Sequence, residues 1–297
     1  MAIFHLSVKL ICRSKGRSAI AAAAYRHALR LRDARTGVTH DYRRKIGVEH
    51  SEILAPHGAP RWVEERAALW NAVEGAERRR DAQLAREIEI ALPAELDAAQ
   101  RLALVRHWVA EQLIDHGMVA DIALHAPGGE GDNRNFHAHI VTTLRPVSGA
   151  GFGPKDRAWG NRQMLRQWRE SWAETCNRHL AAAGFEEGID HRTLAAQGID
   201  RLPTKKQGQR ATAIDRRAGQ TLSDRGTYNA AIFADNQRRR QQRFENARIL
   251  RRQLQAVSEF VQETALDLTS PEREVWVEHD PWDELMDHVL GPVRRVR

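Results

Sequence analysis

Cysteine is scarce in this sequence, with only Cys12 and Cys176 among 297 residues. The two are far apart and lack the short spacing of metal-binding pairs, which excludes a disulfide framework or a zinc finger. No run of about 18 apolar residues occurs, so a membrane-spanning helix is not expected. The first residues, MAIFHLSVKLICRSKG, become polar too early for a signal peptide. These absences predict a cytoplasmic protein that does not insert into a membrane.

Acidic residues are also fewer than basic ones, 39 against 46, and the formal net charge is +7. This balance indicates a polyanionic partner. Nucleic acid is favoured over an anionic membrane surface, because no basic amphipathic helix with bulky apolar anchors is present. Hydrophobic residues make up 42% of the chain, which is enough for one domain with an appendage or for two small domains.

Strand-like and helix-like stretches alternate along the chain. Period-two alternation predicts strands in IFHLSVKLI, REIEIALP, VADIALHAP and NFHAHIVTTL, and the stretch RTGVTHDYRRKIGVEHSEIL is predicted as a hairpin. Helices are predicted in SAIAAAAYRHALRLRDA with Ser18 as N-cap, RWVEERAALWNAVEGAERRRDA, AELDAAQRLALVRHWVAEQLIDHG and RQMLRQWRESWAETCNRHLAAAG. The expected fold is α/β (α+β), with an antiparallel or mixed central sheet packed with helices.

Three histidines are predicted to meet on two of these strands. His137 and His139 lie two residues apart, so a strand directs both imidazoles to one side. His125 ends the preceding strand, and an antiparallel hairpin would bring it alongside them. Three imidazoles suit one divalent cation and leave positions open for a substrate oxygen. The alternative is that they are ordinary polar residues on a solvated strand face.

Two glutamates share one face of the strand REIEIALP. Ile88 and Ile90 are predicted to point to the core, which places Glu87 and Glu89 on the opposite face. A carboxylate there could orient a metal-bound imidazole and fix its tautomer. The alternative is that both carboxylates are simply solvated.

Tyr25 is one of three tyrosines and follows four consecutive alanines on a predicted helix. Small neighbours let another backbone approach closely, and the arginines that follow offer phosphate contacts. A phenol is a weak nucleophile at its usual pKa near 10, but a metal and a nearby base make attack on a phosphodiester feasible. The alternative is a helical tyrosine that packs through its ring.

Phosphate contacts are predicted for two basic regions. The candidates are Arg13, Lys15 and Arg17 after the first strand, Arg26 and Arg30 around and after Tyr25, and Arg238, Arg239 and Arg240 in the arginine-rich helix that begins near residue 210. The arginines of that helix have few acids near them in sequence, although a solvated face or a protein–protein coil is the alternative. Tryptophans could stack on unpaired bases, but Trp168 and Trp172, at helical spacing, favour the core.

Several segments together resemble the MobA/MobL family of plasmid mobilisation relaxases, in the HUH endonuclease group. They are MAIFHLSVKLICRSKGRSAIAAAAYRHA, AREIEIALPAEL, ALHAPGGEGDNRNFHAHIVTTLR and RESWAETCNRHLAAAGFEEGIDHRTLAAQGIDRLP, and the likeness extends from residue 1 to about 205. The resemblance implies a divalent metal, Mg²⁺ or Mn²⁺, held by His125, His137 and His139. It implies Tyr25 as nucleophile, and a catalytic glutamate that the family pattern places at Glu87 while strand geometry leaves Glu89 open.

The implied function is plasmid mobilisation. The expected reaction is metal-dependent nicking of one DNA strand at an origin of transfer, through a 5′-phosphotyrosyl intermediate, with rejoining after transfer. Residues 1–208 would form the nicking domain and 209–297 a basic helical extension with an acidic C-terminal end. The DNA partner would be single-stranded and duplex, and a coupling or accessory mobilisation protein is left open. Two alternatives are a non-cutting DNA-binding accessory protein and a metal-dependent phosphodiesterase that uses water.

Overall fold

A five-stranded antiparallel sheet organises the N-terminal part of the protein. The computed structural model describes residues 3–128 and 133–268, which divide between two compact units, Met1–His191 and Arg192–Arg297. The sheet strands are β1 (Leu6–Cys12), β4 (Val48–Leu54), β5 (Gln83–Ala91), β6 (Ala120–His125) and β7 (His137–Thr142). Their spatial order is β1-β5-β7-β6-β4, and every neighbouring pair is antiparallel. The predicted α/β fold with an antiparallel central sheet is confirmed.

Helices and two small hairpins surround this sheet in the first unit. The hairpins are β2 (Arg30–Arg32) with β3 (Thr39–Asp41), and β8 (Val147–Ser148) with β9 (Gly151–Phe152). The helices are α1 (Ala19–Arg26), α2 (Arg66–Ala76), α3 (Ala98–Val109, continued by a π-helix at Ala110–Ile114) and α4 (Arg162–Ala182). Short 3-10 turns occupy Arg13–Lys15, Arg61–Glu64 and Ala158–Gly160.

Side-chain alternation on the central strands builds two cores. On one face, Ile88 and Ile90 pack in a cluster with Trp108 of α3 and Trp172 of α4. On the other face, a second cluster joins Ala85 and Val141 to helices α1 and α2. Trp168 and Trp172 are fully buried, as their helical spacing predicted. Farther along the strands, the second face carries polar side chains in place of apolar ones, and there the candidate site lies.

The first helix is shorter than its alanine-rich sequence predicted. Ser18 is the N-cap, and its hydroxyl accepts a hydrogen bond from the backbone of Ala21. The helix ends at Arg26, and Ala28 has a positive φ of 53°, which terminates helical geometry. The prediction of a helix extending to residue 34 was wrong, because Arg30–Arg32 instead pairs with Thr39–Asp41.

The predicted hairpin across residues 35–54 was wrong in its pairing. Its first strand, β3, pairs back with β2, whereas β4 joins the edge of the main sheet against β6, with Glu52 opposite Ile122. The interior of β6 is buried, and β4 covers that edge. The long-range partner therefore overrode the local hairpin.

The second unit is helical over much of its described length. It contains α5 (Gly208–Ala218) and the 45-residue α6 (Asp224–Leu268). The predicted arginine-rich helix is confirmed. Although few acids lie near its arginines in sequence, two of the three candidate arginines have acidic partners. Arg238 and Arg239 pair with Asp235, and Arg239 also pairs with Asp200 at 2.6 Å. The acidic C-terminal end falls outside the described residues, and the functional boundary at residue 208 stays a prediction.

None of the described helices combines the length and the apolar character that a bilayer-spanning segment requires.

Candidate metal and DNA-processing site

Three histidine rings converge where β6 and β7 pair. His125 lies directly opposite His137 in the antiparallel register, and His139 lies opposite Ala123. The ring centroids are 5.0 to 5.2 Å apart. One nitrogen from each ring falls within 4.8 Å of the others, the spacing of a potential metal site. The hairpin thus brings together the three residues named from the sequence.

Each ring also has one nitrogen beside an oxygen acceptor. His125 Nε2 donates to the carbonyl of Arg26 over 2.8 Å, and His137 Nδ1 donates to the carbonyl of Asn135 over 2.9 Å. His139 Nδ1 contacts Oε1 of Glu87 at 2.8 Å. In a neutral imidazole with this tautomer, the lone pair lies on the other nitrogen, which is the arrangement of metal-binding histidines. The donor set therefore fits a divalent cation.

The charge state of His125 suits the same role. Burial and the positive charge of Lys45 lower the pKa of His125 to about 3. A neutral imidazole is the form that binds metal, so His125 needs no proton release near neutral pH. Lys45 lies in the loop after β3 and was not identified from the sequence.

The two candidate glutamates have different partners. Glu87 is buried, contacts His139, and receives Arg26 at 2.5 Å. Burial alone would raise its pKa, but the hydrogen bond to His139 and the charge of Arg26 lower the pKa of Glu87 to about 2. Glu89 instead pairs with Lys9 at 2.8 Å and lies 3.8 Å from His5. The glutamate joined to the histidine cluster by a hydrogen bond to His139 is therefore Glu87.

Tyr25 lies in the last turn of α1, one residue before Arg26. Its side chain is 41% exposed, and its ring packs edge-on against Tyr42 with centroids 5.2 Å apart. The Lys45 ammonium lies 4.3 Å from the ring centroid and donates to the Tyr25 carbonyl over 3.2 Å. Tyr25 is therefore accessible and next to a cation. Tyr42 and Lys45 both lie in the segment that follows β3. No sequence pattern indicated that this segment would contact Tyr25.

Comparison with known proteins agrees with this architecture. The model of the MobA/MobL family matches residues 17–217. The chain belongs to the MobA/MobL family. It is 41% identical over 251 residues to the mobilization protein MobL of Acidithiobacillus ferridurans, covering 74% of this chain and 65% of that protein. It is 36% identical over 312 residues to a probable conjugal transfer protein TraA of Sinorhizobium fredii, covering 94% of this chain.

A solved structure shares the fold. A protein described under the molecular basis of vancomycin resistance transfer in Staphylococcus aureus is 31% identical, with a TM-score of 0.60. The match covers 65% of this chain and all of that one. The chain spans about a quarter, 26%, of the Sinorhizobium TraA protein.

A buried polar network anchors α1 in this MobA/MobL protein and was missed from the sequence. Asp121, on β6, accepts hydrogen bonds from both Arg66 and the Trp70 indole. His27 Nε2 lies 3.0 Å from Asp121, and its Nδ1 lies 2.7 Å from the Ser51 hydroxyl. Because His27 follows Tyr25 by two residues, the network holds the end of α1 against the sheet.

The predicted DNA-contacting residues of the first unit fall into two groups. Arg13 and Arg26 are engaged within the fold, Arg13 by Glu74 at 2.7 Å and Arg26 by Glu87. Lys15, Arg17 and Arg30 are exposed. In the second unit Arg240 is exposed and lies over the ring of Phe244, whereas Arg238 and Arg239 are paired with acids.

Proposed function

We propose that this MobA/MobL protein is a plasmid mobilisation relaxase that nicks one strand of DNA at an origin of transfer. The observation that carries the proposal is the link between the histidine cluster and α1. Arg26 follows Tyr25, and it contacts His125 through its carbonyl and Glu87 through its side chain. A nucleophile candidate and a metal-site candidate are thereby joined through one residue.

The histidines would hold a divalent cation, Mg²⁺ or Mn²⁺. His125, His137 and His139 provide the donor set, and Glu87 orients His139 through its 2.8 Å contact. When bound, the ion would neutralise charge on the scissile phosphate. Glu87 is anionic at neutral pH because its pKa is about 2, so it is proposed as an orienting residue.

Tyr25 would perform a transesterification. Its phenolic oxygen forms a bond to phosphorus while the bond from phosphorus to the 3′ oxygen breaks. The phenolic proton passes to solvent, and the leaving 3′ oxygen takes up a proton from solvent to become a hydroxyl, so no net proton is gained or lost. One phosphodiester is exchanged for a 5′-phosphotyrosyl ester, so rejoining by the reverse step needs no ATP.

Lys45 is proposed as an electrostatic partner in this step. Its ammonium lies over the Tyr25 ring, where it can stabilise both a phenolate and a phosphate oxygen. The burial of Lys45 and the charge of Arg26 lower the pKa of Lys45 below its ordinary value. A partly desolvated cation interacts more strongly with a developing negative charge than an exposed one.

DNA binding is proposed for exposed cations in both units. Lys15, Arg17 and Arg30 are exposed in the first unit, and Arg240 is exposed on α6. Each phosphate neutralised would contribute about −0.9 to the slope of log K against log salt for duplex DNA and about −0.7 for single strands. Binding is therefore expected to weaken steeply as salt increases.

A covalent-capture experiment tests the proposal and does not require the origin sequence to be known. The full chain is incubated with a random-sequence pool of single-stranded oligonucleotides and Mn²⁺, and SDS-resistant adducts are collected and sequenced. A 5′-phosphotyrosyl link predicts that a 3′ label stays on the protein and a 5′ label is released. Tyr25→Phe should abolish the adduct, with Tyr42→Phe as the matched control that retains it.

Other outcomes separate the competing functions. Cleaved DNA with no covalent adduct would indicate a phosphodiesterase that uses water. Salt-sensitive binding with neither cleavage nor adduct would indicate a non-cutting accessory protein. An adduct that persists in Tyr25→Phe, or that forms equally in the presence of a chelator, would contradict the proposed roles of Tyr25 and the histidines.

A further inference from the structure

We propose that a basic groove on the α4 side of the sheet binds a phosphate group of the DNA chain, with Arg86 as the cation at its base. We call it the Arg86 groove. It is lined by β1 residues such as Val8, by the start of α4 at Arg162, and by Lys155 and Trp168, and it encloses about 940 Å³. Binding of a phosphate group in this groove does not depend on the proposed function, whereas the assignment of that phosphate to DNA rests on it.

The Arg86 groove and the histidine cluster lie on opposite faces of the sheet. Arg86 and Glu87 are consecutive on β5, and successive strand residues point to opposite sides. Glu87 contacts His139, whereas Arg86 lies over the ring of Trp168, with 5.3 Å from its guanidinium carbon to the ring centroid. The groove is therefore a second site, distinct from the metal candidate.

Arg86 is buried, and no described residue supplies it with an anionic partner. Its exposure is only 4%, and its Nη1 atom has no hydrogen-bond partner within the described part of the chain. Two other shielded arginines each have a carboxylate, Arg13 with Glu74 and Arg66 with Asp121. Buried Arg101 donates to the backbone carbonyl of Leu96 instead. An unpaired buried cation is costly unless a ligand supplies the opposite charge.

The acids around the groove are already engaged. Glu77 is contacted by Arg145 and Lys155, at 3.0 and 3.1 Å. Asp81 pairs with Arg79 at 2.8 Å. The third acid that lines the groove, Asp156, accepts a hydrogen bond from the backbone N–H of Ala158 over 2.8 Å. None of these three carboxylates is paired with Arg86.

Further positive potential comes from the entrance of the groove. Arg157 and Arg162 are exposed there. The groove also includes Asn161, which caps the 21-residue helix α4. A helix N-terminus attracts anions through its partial positive charge and its unsatisfied N–H groups.

Phosphate is the anion that this set of groups fits. Arginine binds phosphate oxygens in pairs through its fork of N–H donors, and a diester phosphate keeps its negative charge at all ordinary pH values. The groove is open to solvent along exposed Arg157 and Arg162, so a polymer could enter it from outside. A DNA strand has such phosphates at every nucleotide, which makes it the source we infer.

Thermal unfolding of the full chain tests whether phosphate binding depends on the buried Arg86. Inorganic phosphate and an oligothymidylate are each titrated against the wild type and Arg86→Met. We expect both probes to raise the Tm of the wild type. Arg86→Met should lose the shift with phosphate and show a smaller shift with the oligothymidylate, which keeps its other phosphate contacts. Without ligand, Arg86→Met should unfold at the same Tm or a higher one, because an unpaired buried charge has been removed. Arg61→Met, at an exposed position outside the groove, is the control and should keep both shifts.

Binding of a labelled oligothymidylate, followed by anisotropy at several salt concentrations, identifies the source of the phosphate. Arg86→Met should reduce the slope of log K against log salt by about 0.7, the value for one contact on a single strand. Arg86→Lys should recover part of the affinity. The same Arg86 dependence is expected in a Tyr25→Phe background, so loss of nicking would not affect this result.

Two results would overturn the proposal. If Arg86→Met unfolds at a lower Tm and keeps the wild-type shift with phosphate, Arg86 is a packing residue over Trp168. If the phosphate shift is lost but oligothymidylate binding is unchanged, the groove takes a free anion, and the assignment to DNA is wrong.

Discussion

The imidazole of His125 and the main chain of Arg26 are joined by a hydrogen bond of 2.8 Å from Nε2 to the carbonyl oxygen. This contact connects β6 to the last turn of α1, one residue beyond Tyr25. A carbonyl can only accept, so the bond places the proton of His125 on Nε2 and the lone pair of the neutral ring on Nδ1. The end of the helix thus sets the tautomer of a candidate metal ligand, which couples the two halves of the proposed site.

The first prediction distinguishes the two glutamates on β5. Glu87→Gln removes the carboxylate that contacts His139, and loss of such an orienting partner lowers metal affinity by about 10- to 100-fold. Glu89→Gln is the matched control, because Glu89 pairs with Lys9, and its Mn²⁺ affinity should equal that of the wild type. Isothermal titration of the full chain with Mn²⁺ measures both. Equal losses in the two variants would remove the distinction we draw.

The second prediction concerns the cation beside the nucleophile. Lys45→Met should slow formation of the covalent adduct by about 10²-fold, the usual effect of deleting one electrostatic contact to a reacting phosphate. Lys45→Arg keeps the charge and should recover part of the rate, while Lys205→Met, at an exposed position of the second unit, should leave it unchanged. Rates are read from quenched single-turnover gels. A Lys45→Met enzyme with the wild-type rate and normal Mn²⁺ binding would exclude the proposed role.

The third prediction is a pH dependence of stability. Burial lowers the pKa of His27 below its ordinary value of 6.5, despite the nearby Asp121 carboxylate. The unfolded chain therefore binds a proton at this position before the folded chain does, and stability falls as the pH drops below about 6.5. The loss is at most about 1.4 kcal/mol per pH unit.

Urea unfolding at pH 7.5 and pH 5.5 measures this effect. His27→Gln cannot take up the proton, so its free energy of unfolding should fall less between the two pH values than that of the wild type. His57→Gln, at an exposed position, is the control and should follow the wild type. Identical pH slopes for wild type and His27→Gln would show that His27 does not contribute.

The fourth prediction separates two neighbouring arginines of α6. Arg240 is exposed, whereas Arg239 pairs with Asp235 and Asp200. Arg240→Gln should therefore reduce the salt slope of oligothymidylate binding by about 0.7, and Arg239→Gln should reduce it less. Anisotropy at several salt concentrations gives both slopes. A larger effect for Arg239 would mean that its acidic partners release it when DNA binds.

Much of the site followed from local rules. The two-residue period placed His137 and His139 on one face, and the short connection to His125 required an antiparallel pairing. Ser18 was recognisable as an N-cap, since a hydroxyl before an alanine-rich run satisfies the first backbone N–H groups. These features depend only on residues close together in the chain.

Other features could not be predicted from the sequence, because they depend on contacts between segments that are distant in the chain. The alanine-rich helix stops at Arg26 because residues beyond it pair with Thr39–Asp41, and β4 leaves its expected hairpin for β6. Strand pairing depends on which segments the tertiary fold places side by side. Local propensity therefore decided neither the end of the first helix nor the partner of β4.

The amino-acid sequence by itself determined which candidate residues share a face of a strand or helix, because alternation and helical spacing specify those faces. The tertiary structure alone decided which charge meets which partner. Glu87 and Glu89 are equivalent in the sequence pattern, yet one meets His139 and the other Lys9. Arg13 pairs with Glu74, whereas Arg86 has no carboxylate partner among the described residues. Electrostatic energies depend on distance and burial, and both arise only when remote segments pack together.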